Sequence, residues 1–375
     1  MSGSRADYGL LYWVLKEIQD DPELDLQLVA TAAHLSPEFG LTYRQMVSDG
    51  FAIDAKVEML LSSDTSVGVA KSIGLAIIGF GEVFERLCPD MLLLLGDRYE
   101  ILAAAQAALV AQIPVAHIAG GDVTEGAFDE AIRHSVTKMS HVHFVTNAMS
   151  AARVRQLGED ESYIFNVGSP GLDYIRRMEL LALPVLEQQI AFQFRKHNLL
   201  ITYHPETLSL DVDGDHFGEL LHALHNLGPE WGLIFTKPNA DTHGRVLAER
   251  LESFVMAHEN ARVYESLGSL KYLSVMAQVD AVVGNSSSGL YEAPSFSTPT
   301  VNIGDRQKGR LKAASVFDCS ATAIDIEDAI AAAVGAERNN IVNPYGDGYS
   351  ASRIKNHLKQ IPDPRALLKK HFFDL

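Results

Sequence analysis

Acidic and basic side chains follow two apolar stretches in the first third of the chain. The run MLLLLG ends in Asp97 and Arg98, and PVAHIA ends in two glycines and Asp122. Asp129 and Arg133 come a few residues later. Carboxylates that converge on one cleft repel each other, so at least one pKa should rise into the range useful for proton transfer. These residue types predict acid–base chemistry, with Asp97, Asp122 and Asp129 as candidate acids.

A second group of residues has the types expected of an anion site. In GNSSSG, residues 284–289, three serines follow the strand DAVV and precede a short helix, where hydroxyl and backbone N–H groups bind phosphate. Arg306 follows the next strand, and Arg5 lies in the first turn, SGSRADYG. Arginine suits a diphosphate because its guanidinium can donate two hydrogen bonds at once. Helix capping and ordinary surface exposure are the alternatives for each residue taken alone.

The elements that must position these groups alternate along the chain. MLLLLG, an alanine-rich helix and PVAHIA read as a parallel strand–helix–strand unit, and HVHFVTN and SYIFNVG continue the series. The pattern pauses near Ser169 and resumes with NLLITYHPET. We therefore expect two Rossmann-like α/β domains, residues 1–168 and 169–350, each with a doubly wound parallel sheet and facing one another across a cleft. Almost no strand precedes SGSRADYG, so either the first strand is lacking or the recorded start is truncated.

Composition limits the partners. The 375 residues are too many for most single cores, and the net charge of −17 argues against binding to nucleic acid or a membrane surface. The N-terminus lacks the apolar region of a signal peptide, and the apolar runs are shorter than a membrane span, so we expect a cytoplasmic protein. The two cysteines have no metal-ligand spacing, and the pair His141 and His143 has no acidic or cysteine partner at a recognisable spacing in the sequence, so no metal site is expected.

Several motifs, taken in order, resemble the hydrolysing UDP-N-acetylglucosamine 2-epimerases over essentially the whole chain. They are SRADYG, GDRYE, GGD followed by DEAIRHS, YHPET, GNSSSG, GDRQKGR and YGDG. The resemblance implies a glycosyltransferase-B-type fold in which the C-terminal helix, within residues 351–375, returns to the first domain. It also implies a homodimer or homotetramer, a UDP-sugar held mainly by the second domain, and no metal or other cofactor.

The resemblance also implies a mechanism and roles for particular residues. A base removes the proton at C2 of the sugar while UDP leaves from C1, and water then adds to the resulting glycal with C2 inverted. Asp97 and Asp129 are the implied acid–base pair, Asp122 is a further candidate, and His204 could protonate the leaving phosphate or the ring. Arg98 and Arg133 would orient the carboxylates. The remaining substrate-binding candidates are Arg5, Asn239, Ser286, Ser287, Ser288, Glu292 and Arg306.

One departure from the family pattern leaves the substrate open. Many members carry an acidic residue or a histidine just before the Gly-Gly pair, where this chain has Ala119. UDP-N-acetylglucosamine, with N-acetylmannosamine as product at the start of sialic acid synthesis, is the first expectation. UDP-2,4-diacetamido-2,4,6-trideoxyglucose, of the legionaminic acid route, is the alternative if the space at Ala119 admits a less polar group. A retaining glycosyltransferase and a catalytically silent UDP-sugar binder are more distant alternatives.

Overall fold

Parallel strands alternate with helices along the chain and form two α/β units, which confirms the predicted fold class. The structure, a computed structural model, describes residues 1–61, 65–123, 129–204, 215–237 and 244–374. One unit comprises Met1–Arg176 and Tyr345–Leu375, and the other comprises Arg177–Pro344.

The strands of the first unit are β1 (Val29–Thr31), β2 (Ala55–Val57), β3 (Leu92–Leu95), β4 (Val115–Ile118), β5 (Val142–Val145) and β6 (Ile164–Asn166). β1 pairs with β2, and β3 to β6 form a four-stranded sheet in chain order. Ser2 forms a parallel bridge with Ala30, and the amino group of Met1 donates to the Leu93 carbonyl at 3.4 Å. Met1 and Ser2 thus lie between β1 and β3, in the position of the first strand of a doubly wound sheet.

Helices cover both faces of these strands, as parallel strands require. They are α1 (Arg5–Gln19), α2 (Tyr43–Ser48), α3 (Ser66–Leu87), α4 (Tyr99–Val110), α5 (Asp129–Met139), α6 (Ala148–Gln156) and α7 (Gly171–Arg177). Side-chain caps fix where two of them begin: Ser4 accepts from the Asp7 N–H, and Asn147 accepts from the Ser150 N–H. Residues of α3 and α4 bury one side of the strands, and residues of α1 bury the other.

Helix α3 is 22 residues long and apolar enough to match a membrane span by length and composition. Core helices of water-soluble proteins meet the same criterion, so this helix alone does not indicate a membrane. Only 33% of the most apolar 18-residue stretch of this helix is buried within the chain. Part of its apolar surface is therefore left without intramolecular packing.

The second unit has the strand order β9-β8-β7-β10-β11-β12, the order of a dinucleotide-binding sheet. Its elements are α8 (Leu183–Ile190), β7 (His197–Thr202), α9 (His216–Asn226), β8 (Trp231–Thr236), α10 (Gly244–Ala257), β9 (Ala261–Tyr264), α11 (Gly268–Gln278), β10 (Ala281–Gly284), α12 (Ser288–Tyr291), β11 (Thr300–Ile303), β12 (Val316–Cys319) and α13 (Ala323–Gly335). The order reverses between β7 and β10. Ligands of open α/β sheets bind beyond the carboxyl ends of strands at such a point.

The C-terminal segment belongs to the first unit. Its helix, α14 (Ser350–Lys359), begins where the buried carboxylate of Asp173 accepts the backbone N–H groups of Ser350 and Ala351 at 2.9 and 3.0 Å. Lys359 pairs with Asp21 beyond the end of α1 at 3.0 Å. These contacts explain why the first unit extends through Arg176, where α7 supplies Asp173, and resumes at Tyr345.

Candidate active site

The turn after β3 holds the first predicted acid. Arg133 of α5 is buried, with 4% of its side chain exposed, and its Nη2 pairs with the Asp97 carboxylate. Its Nη1 donates to Glu130 and to the Asp122 carbonyl, both at 2.7 Å. A single buried guanidinium therefore ties β3, the turn after β4 and the start of α5 together. The predicted role of Arg133 in orienting a carboxylate matches this contact.

A buried histidine contacts the backbone of the same turn. His117 of β4 lies 2.7 Å through its Nε2 from the Gly96 carbonyl and 3.2 Å through its Nδ1 from Thr137. Burial lowers the pKa of His117 to about 4, so the ring is neutral at physiological pH. Neutral imidazole donates from one nitrogen and accepts at the other, which suits these two neighbours. His117 was not predicted, because its position in an apolar strand gives no sequence signal of this role.

Asp129, the first residue of α5, interacts with the charge of Asp97. Burial raises its pKa, the charge of Asp97 raises it further, and Arg98 and Arg133 oppose the rise. Like charges that share a site push one pKa upwards. Asp97 and Asp129 therefore form an electrostatically coupled pair on two different elements, as acid–base chemistry at one carbon requires.

Asp122 is placed differently from the other two acids. Its Oδ1 accepts hydrogen bonds from Thr146 at 2.9 Å and from Ser150 at 2.6 Å. These hydroxyls belong to the loop after β5 and to α6, so the carboxylate ties the turn after β4 to that loop. This contact gives Asp122 a structural task that the sequence did not indicate.

Arg98 acts on the predicted acid Asp129 through its charge, and it pairs directly with a second acid. Its Nε donates to Glu100 at 2.7 Å, and Glu100 is fully buried. Burial raises the pKa of Glu100, and its Oε2 is enclosed without a hydrogen-bond partner among the described residues. Arg98 stays about half exposed and, with the exposed Arg5, lines a cavity of about 1250 Å³. Glu100 thus holds Arg98 at this cavity, a role that was not predicted.

The second unit brings two of its predicted segments together at the β7–β10 reversal. Asn285 is buried, and its side chain accepts from the His204 N–H at 2.7 Å and donates to the His204 carbonyl at 2.8 Å. Gly284 has φ of +136°, and a Cβ there would lie 2.0 Å from the Thr202 carbonyl oxygen, so only glycine fits. Asn285, which lies within the GNSSSG motif but was not singled out, positions the backbone of His204.

The predicted anion-site residues lie around the same strand end. Arg306 is exposed, and its Nη1 donates to the Asn285 carbonyl at 3.0 Å. Ser286 and Ser287 lie between β10 and α12, and Ser288 begins that helix. The contact with Asn285 brings Arg306 to the serine segment, as the sequence predicted. Asn239, the remaining candidate, lies outside the described residues.

Glu292 and Ser288 form a polar cluster with a residue that was not predicted. Tyr272 of α11 donates to the Ser288 hydroxyl at 2.8 Å. Burial raises the pKa of Glu292 to about 7, although a hydrogen bond from Ser288 opposes the rise. Its Oε2 is buried and has no hydrogen-bond partner among the described residues. A carboxylate oxygen without a partner can accept a hydrogen bond from a ligand hydroxyl.

Two α/β units of the glycosyltransferase-B type, with coupled acids in one and a polar strand end in the other, define the class: an enzyme of nucleotide sugars. The profile of the UDP-N-acetylglucosamine 2-epimerase family matches residues 16–359. The chain belongs to the UDP-N-acetylglucosamine 2-epimerase family.

Two curated relatives are similar over most of their length. The GDP/UDP-N,N'-diacetylbacillosamine 2-epimerase (hydrolyzing) of Campylobacter jejuni is 44% identical over 326 residues, which are 87% of this chain and 84% of that protein. The UDP-N,N'-diacetylbacillosamine 2-epimerase (hydrolyzing) of Legionella pneumophila is 36% identical over 370 residues, 99% of this chain and 97% of that protein. The crystal structure of UDP-GlcNAc 2-epimerase from Neisseria meningitidis bound to UDP-GlcNAc superposes with a TM-score of 0.79 at 19% identity, covering 96% of this chain and 98% of that one. That structure supports the fold.

Proposed function

We propose that the protein is a hydrolysing 2-epimerase of UDP-2,4-diacetamido-2,4,6-trideoxyglucose, the sugar nucleotide also called UDP-N,N'-diacetylbacillosamine. The reaction would consume one water and release UDP and the 2-epimeric free sugar. The observation that carries this choice is the similarity to the two diacetylbacillosamine 2-epimerases, at 44% and 36% identity. It favours the alternative substrate of the sequence analysis over UDP-N-acetylglucosamine.

The coupled acids support the chemistry at C2. The C2 proton is weakly acidic, so its removal needs a well-placed base with a raised pKa, and Asp129 has one. In the proposed elimination, Asp129 takes this proton, the C2–H electrons form the C1=C2 bond, and the C1–O bond breaks as UDP leaves. Water then adds its oxygen to C1, and a proton returns to C2 on the opposite face. Asp97, held by Arg133, is the proposed second acid–base group.

The second unit is proposed to hold UDP. Glu292 accepts the ribose hydroxyls, and Ser286, Ser287, Ser288 and Arg306 bind the diphosphate. His204, whose backbone is fixed by Asn285, protonates the leaving phosphate. Donors that are already in place stabilise a developing negative charge without further reorganisation.

A homodimer or homotetramer remains our proposal for the assembly. Val67, Leu75 and Ile78 are exposed at 62, 43 and 64%. They share one face of α3 because their spacing follows the helical repeat. A second copy that covers this face would remove an apolar stripe from water. Size-exclusion chromatography with light scattering measures the mass; a monomer at micromolar concentration would contradict the proposal.

We also propose that the enzyme works in the cytoplasm, without nucleic-acid or membrane partners and without a cofactor.

The decisive experiment follows both sugar nucleotides by NMR in deuterated water. We expect UDP release, a 2-epimeric sugar and deuterium at C2, with faster turnover of the diacetamido-trideoxy substrate. UDP-N-acetylglucosamine is the second candidate, because the family profile carries its name. UDP release without deuterium at C2 would contradict the elimination mechanism, and binding of both nucleotides without turnover would indicate a silent binding protein.

A further inference from the structure

The cavity beside Arg98 lies within the first unit, at the carboxyl ends of β1, β2 and β3. Ala32 and Ala33 follow β1, Glu58 and Met59 follow β2, and Arg98 follows β3. Its volume is about 1250 Å³. Small-molecule sites usually measure about 300–1,000 Å³. The cavity therefore has room for a whole substituted sugar beside Arg98, the neighbour of Asp97 in the sequence.

The lining of this cavity contains both polar and apolar side chains. Groups that can form hydrogen bonds belong to Ser4, Arg5, Ser36, Glu38, Thr42, Glu58 and Arg98. The apolar wall consists of Leu35, Pro37, Phe39, Met59, Leu60 and Leu61. Phe39 has 56% of its surface exposed, which is unusual for a phenylalanine without a partner to cover it. A ligand that carries both apolar substituents and polar groups would find partners for each in this lining.

The segment that carries Phe39 is fixed by its own hydrogen bonds. His34 is buried, and its two ring nitrogens lie 2.9 Å from the Ser2 hydroxyl and 2.8 Å from the Thr42 hydroxyl. The Phe39 N–H donates to the Ser36 carbonyl at 3.2 Å, and Gly40 closes the turn with φ of +82°. A wall built in this way before the ligand arrives loses little conformational freedom on binding.

We propose that this apolar wall is the specificity pocket for the substituents at C4 and C6 of the sugar, with Phe39 packed against the acetamido methyl at C4. The proposal rests on the proposed function, because it concerns the sugar that this function assigns. The diacetamido-trideoxy sugar has an acetamido group at C4 and a methyl at C6, whereas N-acetylglucosamine has a hydroxyl at both positions. Contact with the apolar side chains favours the first, since a methyl group gains more than a hydroxyl when it leaves water for an apolar contact.

The test compares Phe39→Ala with the unchanged protein on both UDP-sugars. A methylene in an apolar pocket is worth roughly 10- to 200-fold in specificity. We therefore expect kcat/KM for the diacetamido-trideoxy substrate to fall by about 10-fold or more, and kcat/KM for UDP-N-acetylglucosamine to change by less than about 2-fold. Val47→Ala is the matched control, because Val47 of α2 is 55% exposed and lies outside the lining. It should change neither value.

Equal loss on both substrates, or no change on either, would overturn the pocket assignment and leave the proposed function intact. Absence of UDP release from both substrates by the unchanged protein would instead overturn the proposed function. Calorimetric binding of the two intact nucleotides then tests the pocket without turnover. It supports the assignment if Phe39→Ala weakens only the diacetamido-trideoxy nucleotide, and overturns it if both dissociation constants change together or neither does.

Discussion

If Glu292 binds the ribose as proposed, its carboxyl should make UDP binding depend on pH. Burial raises its pKa from the ordinary 4.5 to about 7. The ionised fraction is then about 9% at pH 6 and about 91% at pH 8, by the ordinary titration relation. If the carboxylate is the form that accepts the ribose hydroxyls, its contribution should strengthen UDP binding about 10-fold over this interval.

The assay is calorimetric titration of UDP at pH 6, 7 and 8 with the unchanged protein and with Glu292→Gln. The phosphate of UDP also titrates near pH 6, so the difference between the two proteins is the informative quantity. The amide does not titrate, so the variant should show only the phosphate contribution. Parallel pH dependences in both proteins would refute the assignment of Glu292 as the titrating ribose ligand.

The pH dependence of protein stability tests the raised pKa of Glu292 without a ligand. The folded-state pKa is raised, so the favourable contribution of the protonated carboxyl is complete below pH 4.5 and is lost as the pH rises through about 7. A difference of about 2.5 pKa units corresponds to roughly 3 kcal/mol, and we expect about 1–3 kcal/mol because the side chain is only partly buried. Glu292→Gln should therefore raise the free energy of unfolding at pH 8 and change it little at pH 4, as denaturant titration would reveal. A variant less stable at pH 8 would contradict the pKa assignment.

Three further substitutions test the remaining roles. Asp129→Asn should lower kcat by about 10²–10⁴-fold while UDP affinity, by calorimetry, stays nearly unchanged; equal loss of both would indicate a structural role. Arg306→Ala should weaken UDP binding by roughly 2–4 kcal/mol if its guanidinium, now on the Asn285 carbonyl, reaches the diphosphate, and unchanged affinity would remove it from the site. Tyr272→Phe removes the donor to Ser288, so UDP affinity should fall about 5- to 10-fold with kcat preserved; a loss confined to kcat would contradict this positioning role.

The sequence predicted the alternating architecture because the buried strands are apolar on both faces. It failed where strands are short and partly polar. β2 has the exposed Lys56 at its centre, and β12 is an edge strand with the exposed Asp318, so neither gives a clear apolar run. The helix α2 was missed for a similar reason, since only Met46 among its six residues is buried. In each case pairing with a neighbouring element, rather than local pattern, fixes the structure.

The candidate site could be predicted in its residue types but only partly in its contacts. Asp97 and Arg133 are 36 residues apart, and the role of the arginine in orienting a carboxylate was implied by the family resemblance. The direct contact of Arg98 with Glu100 was not predicted, because it forms only when the start of α4 carries Glu100 inward. Asn285 bonds to His204 across 81 residues. Such a contact exists only after β7 and β10 have paired, so no local pattern indicates it.

Ala119 shows how backbone geometry limits the chemistry of the turn after β4. Its φ is +65°, in the left-handed region that Asp, Asn and His enter more readily than other non-glycine residues. A functional side chain at this position, of the kind the family resemblance implies, would therefore suit the turn better than a methyl group does. Position 121 has no room for any side chain, because a Cβ at Gly121 would lie 2.3 Å from the Ser150 carbonyl oxygen. Asp122 accepts hydrogen bonds from the hydroxyls of Thr146 and Ser150, which supports our proposal that Asp97 and Asp129 carry out the proton transfers at C2.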